Sequence, residues 1–427
     1  VGPRTGNSYH YTMKGGWSLN LPKTTIALDL EGGYGGNKRK GKMNYKETRS
    51  VAGGSPVTED YRSIDDYDND ENIGLGSLAV QHKFNDKGHE LSGSAYYKYG
   101  GHALEYFFND LMSLEGQRQQ GHRAYEAEHR ETMRINLDYA LPFGKGGKLE
   151  AGYQYYSYLE DGDYNMEWWD PKGQTFFWRD DIYNTFYFQE GVNSIYTILS
   201  HTWKNLEAQA GVRGEHTHTV LRSSVEGADR TKNRFEFFPS VHLGYTFPNE
   251  HRLLASYSRR TTRPQLFYME PYITYRDFYT AEIGNPDIRP EYINSFELNY
   301  RKSFGENTVS ATAFHRYRKD KIERLRVPYS AGVTLDSMAN VGHDYSTGIE
   351  LSVSLHPVRW WNTTVNGNVY HYKVKNEQAA GGNTTSSTNY DILWNNLFNL
   401  GKYTRIQLDG SFVGPSVTTQ GLSLIHI

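Results

Sequence analysis

The chain has 427 residues, of which 37% are hydrophobic and 15% aromatic, and its formal net charge is −3. The aromatic content excludes a disordered chain, and the lack of any run of about 18 apolar residues excludes α-helical membrane spans. The near-neutral charge gives no sign of a nucleic acid partner, which a basic domain would indicate. Since the chain has no cysteine, disulfides, thiol nucleophiles and cysteine zinc sites are excluded as well.

Short turns and long polar stretches alternate along the chain. The short turns are rich in residues that turns favour, and they lie at Leu21–Thr24, Phe84–His89, Leu141–Lys148, Trp203–Leu206, Phe247–Glu250, Phe304–Asn307, Pro357–Trp360 and Leu400–Tyr403. The long polar stretches are Gly36–Asn72, Gly101–Tyr125, Asp161–Asn193, Ser223–Asn233, Pro264–Tyr292, Lys321–Tyr345 and Lys375–Thr388. This order puts every short turn on one side, as in an up-and-down membrane barrel. A β-sandwich mixes loop lengths at both ends.

The segments beside the turns alternate apolar and polar residues with a period of two. Clear examples in chain order are residues 134–141, 206–213, 348–356 and 405–412. Such alternation predicts strands with one apolar and one polar face, and about 9–11 residues suffice to cross a bilayer. We therefore predict an all-β fold, an antiparallel up-and-down transmembrane β-barrel of about sixteen strands with short periplasmic turns and long extracellular loops.

Aromatic residues lie at the strand ends beside the short turns. They are Trp203, Tyr245, Phe247, Tyr300, Phe304, Trp360, Trp361 and Tyr403. Tyr and Trp favour the membrane–water interface because one end of each side chain is apolar and the other polar. The pattern therefore favours an interfacial girdle, with ordinary cross-strand aromatic packing as the alternative.

Two blocks of residues form a signature in the second half of the chain. The first consists of Gly284, Asn285, Pro286, Arg289, Pro290, Glu291, Ser295 and Glu297, and the second of Asn340–Gly342, Tyr345, Gly348–Glu350 and Trp360–Trp361. The region resembles the C-terminal barrel of TonB-dependent outer-membrane receptors, and in particular the outer-membrane β-barrel family of Bacteroidota-type bacteria. The two prolines stiffen an extended loop and remove backbone donors just before a strand. We therefore interpret the first block as structural.

The resemblance implies a gated transporter in the cell outer membrane. Members of the family have a barrel of about 22 strands around an N-terminal plug that contacts TonB. This sequence shows no plug and fewer strands, so residues 1–421 are interpreted as a partial barrel. The implied partners are outer-membrane lipid and lipopolysaccharide, the TonB complex through the plug, the barrel assembly machinery, and a small or oligomeric nutrient such as chelated iron, a glycan or a peptide.

Residues 422–427 read Leu-Ser-Leu-Ile-His-Ile. They match the translation, in one frame, of a widely used transposon-based sequencing adapter. We predict that the native sequence stops near Gly421 and that the tail is not native, with the start of a native apolar strand as the alternative.

Two aromatic clusters in the predicted outer loops are candidates for ligand contact. The first contains Trp168, Trp169, Phe177 and Trp178, and the second contains Tyr272, Tyr275 and Arg276. Flat aromatic faces suit sugars, chelates and peptides, whereas the alternative is that each long loop packs on itself.

No catalytic role, cofactor or metal site is predicted. The chain lacks the motifs of serine hydrolases, P-loops, zinc proteases and dinucleotide-binding proteins. The acidic run 65–71 lacks the glycine and glutamate that an EF-hand requires. A solvated charge run is the favoured interpretation, with a loose Ca²⁺ site in an outer loop as the alternative. The pair His216 and His218 shows no third metal ligand.

Arg259 is a candidate for lipid contact. It follows the Phe247–Glu250 turn by about ten residues, enough to reach the outer leaflet. Alternation turns it outward, where an arginine can extend towards lipid phosphates. A register slip of one residue would put Arg260 there instead.

The sequence thus predicts the barrel part of a TonB-dependent receptor that imports a scarce nutrient. The alternatives are a plugless passive or structural outer-membrane barrel and, less favoured, a soluble β-rich binding module.

Overall fold

The computed structural model describes residues 4–49, 57–330, 332–378, 382–418 and 421–423, and these are mostly β-strands. The strands of the first half are β1 (Arg4–Asn20), β2 (Thr24–Arg49), β3 (Val57–Lys83), β4 (Glu90–Ser113), β5 (Arg118–Phe143), β6 (Gly147–Asp170), β7 (Thr175–Trp178), β8 (Asn184–Trp203), β9 (Leu206–Ser223) and β10 (Arg230–Phe247). Those of the second half are β11 (His251–Thr262), β12 (Ile273–Asp277), β13 (Thr280–Ile283), β14 (Glu291–Phe304), β15 (Asn307–Ser330), β16 (Val333–Val358), β17 (Trp361–Asn376), β18 (Asn383–Asn399), β19 (Arg405–Val413), β20 (Ser416–Thr418) and β21 (Gly421–Ser423).

A 3-10 turn at Leu266–Tyr268 is the one helical element in the described ranges. Over the same ranges, no helix has the length and apolar character needed to cross a membrane. Of the predicted non-native tail, Leu422 and Ser423 lie in β21, and residues 424–427 lie outside the described part of the chain. The interpretation of this tail stays a prediction.

The strands form an up-and-down series. The main sheet contains nineteen strands among the described residues. All except the short strands β7, β12 and β13 pair antiparallel with the next long strand along the chain, from β1–β2 to β18–β19. This gives sixteen long strands. The prediction of an all-β, antiparallel up-and-down arrangement is confirmed.

The short turns lie where the sequence predicts them, whereas the long loops other than Pro264–Tyr292 are shorter than predicted. The stretch Gly36–Asn72 falls largely within β2 and β3, which pair up to Arg49 and Val57. Cross-strand ion pairs accompany this extension, with Lys38 Nζ 2.6 Å from Asp68 and Lys40 Nζ 2.9 Å from Asp66. Opposite charges across a ladder stabilise pairing without any apolar face, so the strands continue where alternation of apolar residues has stopped.

One face of the sheet is apolar and exposed. On β14, Phe296, Leu298 and Tyr300 are exposed. On the opposite face of the same strand, Glu297 pairs with Arg316 at 3.3 Å, and Asn299 Nδ2 donates to Ser310 and Thr312 at 2.9 and 2.7 Å. The same apolar face is exposed at Leu137, Ile195, Leu199, Leu243, Ile349, Leu351 and Ile392. A continuous apolar belt on one face and a polar opposite face are the pattern of a membrane barrel wall.

Aromatic side chains end this belt at the short turns. Trp203, Tyr245, Phe247, Phe304, Trp360 and Tyr403 are all exposed there. Tyr245 and Phe247 also pack edge to face at 4.5 Å. Exposed aromatic rings at this height match an interfacial girdle.

The buried core lies on the inner, polar face of the sheet. Residues 263–290, between β11 and β14, are called the inward segment here because they pack against β5, β6, β8 and β9. The segment contributes Leu266, Met269, Tyr272 and Ile288. The strands contribute Ala124, Tyr164, Met166, Phe186, Phe188 and Leu221. This connection therefore folds back over the polar face of the sheet, at the end of the strands opposite the short turns.

Candidate functional site

The inward segment forms a cover over the luminal face. Its strands β12 and β13 pair with each other, and β13 also pairs parallel with β16. On the far side, the hydroxyl groups of Tyr279 and Tyr61 of β3 lie 2.5 Å apart. The segment thus spans from β16 to β3, and it encloses cavities against the strands beneath it.

Gly284 allows the segment to fold back on itself. Its N–H donates to the carbonyl of Glu270 at 2.7 Å. A Cβ at Gly284 would lie 2.6 Å from that carbonyl oxygen, closer than any side chain permits, so only glycine fits this approach of two backbones. The next residue, Asn285, donates its N–H to Tyr268 O at 2.7 Å. This geometry holds Glu270 against the strands.

The signature residues form hydrogen bonds with other residues of the protein. Asn285 Oδ1 accepts the N–H of Asp287 at 2.9 Å, and the Pro286 carbonyl accepts from Lys232 Nζ at 2.8 Å. The side chain of Asn340 bonds both the N–H and the carbonyl of Arg289, at 2.8 and 2.9 Å. The two sequence blocks therefore meet in space.

The remaining signature residues anchor the start of β14. Pro290 is fully buried, and so is most of Glu291. Glu291 accepts the N–H of Ile322 at 2.7 Å and pairs with Arg318 at 3.3 Å. Together with the luminal pairing of Glu297 on this strand, these contacts favour the structural role predicted for the signature.

The first aromatic cluster is a β-hairpin and not an irregular loop. Trp168 and Trp169 end β6, and Phe177 and Trp178 lie on β7, which pairs with it. Trp168 packs edge to face on Tyr275 at 5.7 Å, whereas Phe177 and Trp178 are exposed. The two exposed rings keep a free face, and the two tryptophans of β6 pack within the protein.

The second cluster also contains both a buried and an exposed side chain. Tyr272 is 3% exposed and stacks on Tyr164 at 6.0 Å. Arg276 is exposed and pairs with Glu282 at 2.5 Å. Arg276 also borders a cavity of about 210 Å³ beside β2, β3 and β4, whose lining includes Arg4, Arg39, Asp65, Asp66 and Tyr67.

A larger cavity, which the sequence did not predict, lies between the inward segment and β5, β6 and β8. We call it the acidic cavity. Its volume is about 400 Å³, and its lining consists of Glu128, Arg130, Tyr156, Tyr158, Glu160, Phe188, Glu190, Arg263, Pro264, Gln265, Leu266, Phe267 and Glu270. The acidic strand residues all occupy inward positions, so aligning the strands on their short turns could have revealed them.

The acidic cavity lies above the apolar belt. On the outward face at this height, His129 of β5 contacts Asp161 of β6 at 2.9 Å, so polar groups have replaced the apolar side chains.

Burial raises the pKa of Glu270 to about 8; repulsion from Glu128 and Glu160 adds to this effect, and the charge of Arg130 opposes it. Burial also raises the pKa of Glu190, against the opposing effect of Arg263. Burial therefore makes the ionised form of both carboxyl groups less favourable than it is in water.

In the described ranges, no three His, Asp or Glu side chains are arranged to hold a metal ion. The His216 ring stacks on Phe235 at 4.4 Å, and His218 Nδ1 lies 2.9 Å from Asn233. Neither histidine faces the acidic cavity.

Arg259 lies on the outward face of β11. It pairs with Asn294 of β14, two residues beyond the pair of Tyr257 and Phe296, and it therefore shares their outward face. Its guanidinium carbon lies 5.2 Å from the Tyr292 ring centroid. Arg260 pairs with Ile293, which puts it on the inner face.

Comparison with known proteins gives one family and a set of similar folds. Residues 82–424 match the model of the "Outer membrane protein beta-barrel family", and no curated protein sequence matches the chain. The copper transporter OprC is 9% identical with a TM-score of 0.54, over 93% of this chain and 74% of its own. The ferric-catecholate import receptor Fiu from K12 E. coli is 11% identical with a TM-score of 0.52, over 96% and 70%. The RagAB peptide transporter is 12% identical with a TM-score of 0.50, over 94% and 61%. At these identities the likeness concerns the fold.

Proposed function

Because the chain belongs to the outer membrane protein beta-barrel family, we propose that it forms the wall and outer segments of a TonB-dependent receptor that imports a scarce nutrient. The protein is located in the cell outer membrane. The observation that supports the proposal is the inward segment, which packs on the polar face of the sheet and encloses a cavity there.

In the proposed mechanism, a solute is captured first and moved afterwards. The outer aromatic rings and the cavities beneath the inward segment bind the solute at low concentration. An upstream plug, pulled by TonB, then opens the path through the barrel. The residues described here would supply binding and the wall, with no enzymatic step, and the receptor would be of the Bacteroidota type. Chelated iron, a glycan and a peptide are the candidate nutrients.

The proposal is tested by competitive growth. A deletion strain and its parent are grown together in media limited in turn by ferric iron, oligosaccharides and peptides, and each strain is compared with and without a functional TonB. We expect a growth defect in one medium, restored by a plasmid copy only when TonB is present. Restoration in both backgrounds would favour the plugless passive barrel, and genomic sequence upstream of Val1 that encodes a signal peptide but no plug would favour it too.

Arg259 is proposed as a contact to the phosphates of lipopolysaccharide. Its outward position and its height beyond the apolar belt support this role. We expect Arg259→Glu to sensitise the outer membrane to bile salts and large antibiotics by several fold, because the carboxylate repels the phosphates. The minimal inhibitory concentration measures this effect, with Arg260→Glu, on the inner face, as the matched control. Equal resistance in both variants and the wild type would exclude the contact.

A further inference from the structure

The charges that line the acidic cavity do not balance. Four carboxyl groups face two guanidinium groups there, so ionising all of them would leave a net negative charge. Arg130 is already engaged by Glu160, at 2.7 Å, and by Glu128. Glu160 also accepts the Tyr158 hydroxyl, so its hydrogen bonds are made inside the protein.

The second arginine is likewise engaged. Arg263 pairs with Glu215 and lies 3.9 Å from Glu190 and 3.8 Å from Glu236. The carboxylate of Glu270 is different: within the described part of the chain, its side chain has no ion pair or hydrogen bond, although it lines the cavity and its ionised form is disfavoured by burial. A carboxylate that is partly withdrawn from water and has no partner is costly, and a cation brought by a ligand would lower that cost.

The rest of the lining suits an organic cation. Tyr156, Tyr158 and Phe188 provide aromatic walls on the strand side, and aromatic faces attract ammonium and guanidinium groups. The volume of about 400 Å³ lies within the usual range of ligand sites, about 300–1,000 Å³. An anionic solute would instead meet the excess carboxylates.

We propose that the acidic cavity binds the positively charged group of the imported solute, an alkylammonium or guanidinium group, with Glu270 as its counter-ion. This inference rests on the proposed function, since it names the chemical class of the nutrient. Peptides with basic residues and polyamines both carry this chemistry.

Binding of such a cation is linked to protons. The groups around Glu270 are Glu126, Glu128 and Arg130 of β5, Glu160 of β6, Glu190 of β8, Glu282 of β13, and Arg263 and Tyr272 of the inward segment. With a pKa raised to about 8, Glu270 is mostly protonated at pH 7, and a bound cation favours the ionised form. Binding at pH 7 therefore releases a proton, and affinity rises with pH until it levels off above the pKa of the empty site.

The experiment is isothermal titration of the purified full-length protein in detergent. The probe is the tripeptide Gly-Arg-Gly with both termini blocked, and its uncharged control is the same blocked peptide with citrulline in place of arginine. Spermidine forms a separate arm that distinguishes a polyamine site from a peptide site. Titrations at pH 7 in two buffers of different ionisation enthalpy measure the proton release. We expect the charged peptide or spermidine to bind at least tenfold more tightly than the citrulline peptide, with close to one proton released.

Variants assign the effect to Glu270. Glu270→Gln keeps the shape of the side chain and removes its charge, so it should fold normally, bind the cation at least tenfold more weakly and release no proton. Glu207→Gln, at an exposed pair beside a short turn, is the control and should bind like the wild type. Glu190→Gln provides a second test on another wall of the cavity, and should also weaken binding.

Equal binding of the charged and citrulline peptides, or unchanged binding in Glu270→Gln, would overturn the proposal. If no cation binds while the growth defect remains dependent on TonB, the inference fails and the proposed function stands. Cation binding without any TonB-dependent growth would contradict the proposed function instead.

Discussion

Replacing Arg263 with methionine is expected to lower the free energy of unfolding by about 3–5 kcal/mol, the usual cost of removing one partner from a buried ion cluster. Arg263 pairs with Glu215 and approaches Glu190 and Glu236, and all three carboxylates are largely buried. Without the guanidinium group, these carboxylates repel one another at the root of the inward segment. Chemical denaturation in detergent measures the loss, and limited proteolysis at residues 263–290 measures release of the segment.

Arg252→Met is the matched control for this prediction. Arg252 pairs with Glu207 at 2.6 Å beside the short turn, and both side chains are about half exposed. An exposed pair contributes about 0.2–1 kcal/mol, so this variant should remain close to the wild type. A similar loss in both variants would show that the cluster around Arg263 has no special role in holding the segment.

Leu298→Arg is expected to destabilise the membrane-embedded protein by about 2–4 kcal/mol, the cost of an arginine facing lipid at mid-bilayer. Leu298 is exposed on the apolar face and pairs with Ala255 and Ala313 on the neighbouring strands. The small neighbours leave the new side chain open to lipid. Denaturation from phospholipid vesicles measures the change.

The adjacent Asn299 provides the control on the opposite face. Its side chain donates to two hydroxyl groups on the polar face, and Asn299→Arg would put the charge on that polar face at the cost of those two bonds, about 1 kcal/mol each. A larger loss for Asn299→Arg than for Leu298→Arg would mean that the two faces are assigned the wrong way round.

The membrane-crossing part of the fold was predictable because lipid imposes a period of two. Every short turn, the antiparallel order and the number of long strands follow from alternation and turn chemistry. Above the belt both faces of the sheet contact water, so the alternation of apolar and polar residues is no longer required. Lys38 and Lys40 therefore have the sequence pattern of loop residues, although they pair with Asp68 and Asp66 on the neighbouring strand. Strand extension there depends on pairs of residues far apart in the sequence.

The acidic cavity was not predicted for a related reason. Glu128, Glu160 and Glu190 lie on three strands, and Glu270 comes from a connection that could have pointed outward. The fold-back at Gly284 and the burial of Tyr272 help to bring the connection inward, and neither is a periodic signal. The aromatic clusters were recognisable by composition, but which rings keep a free face depends on packing between separate elements.

The length of β2 and β3 also determines what a large particle meets at the cell surface. These strands have 26 and 27 residues, which correspond to roughly 85 Å along the chain and to roughly 60 Å of height at a tilt near 45°. The apolar layer accounts for about 25 Å of this height, so about 30 Å or more stands clear of the bilayer as a paired ribbon. A bacteriophage or an antibody would therefore encounter a paired ribbon that is already ordered. The ribbon would lose little conformational entropy when such a particle binds to it.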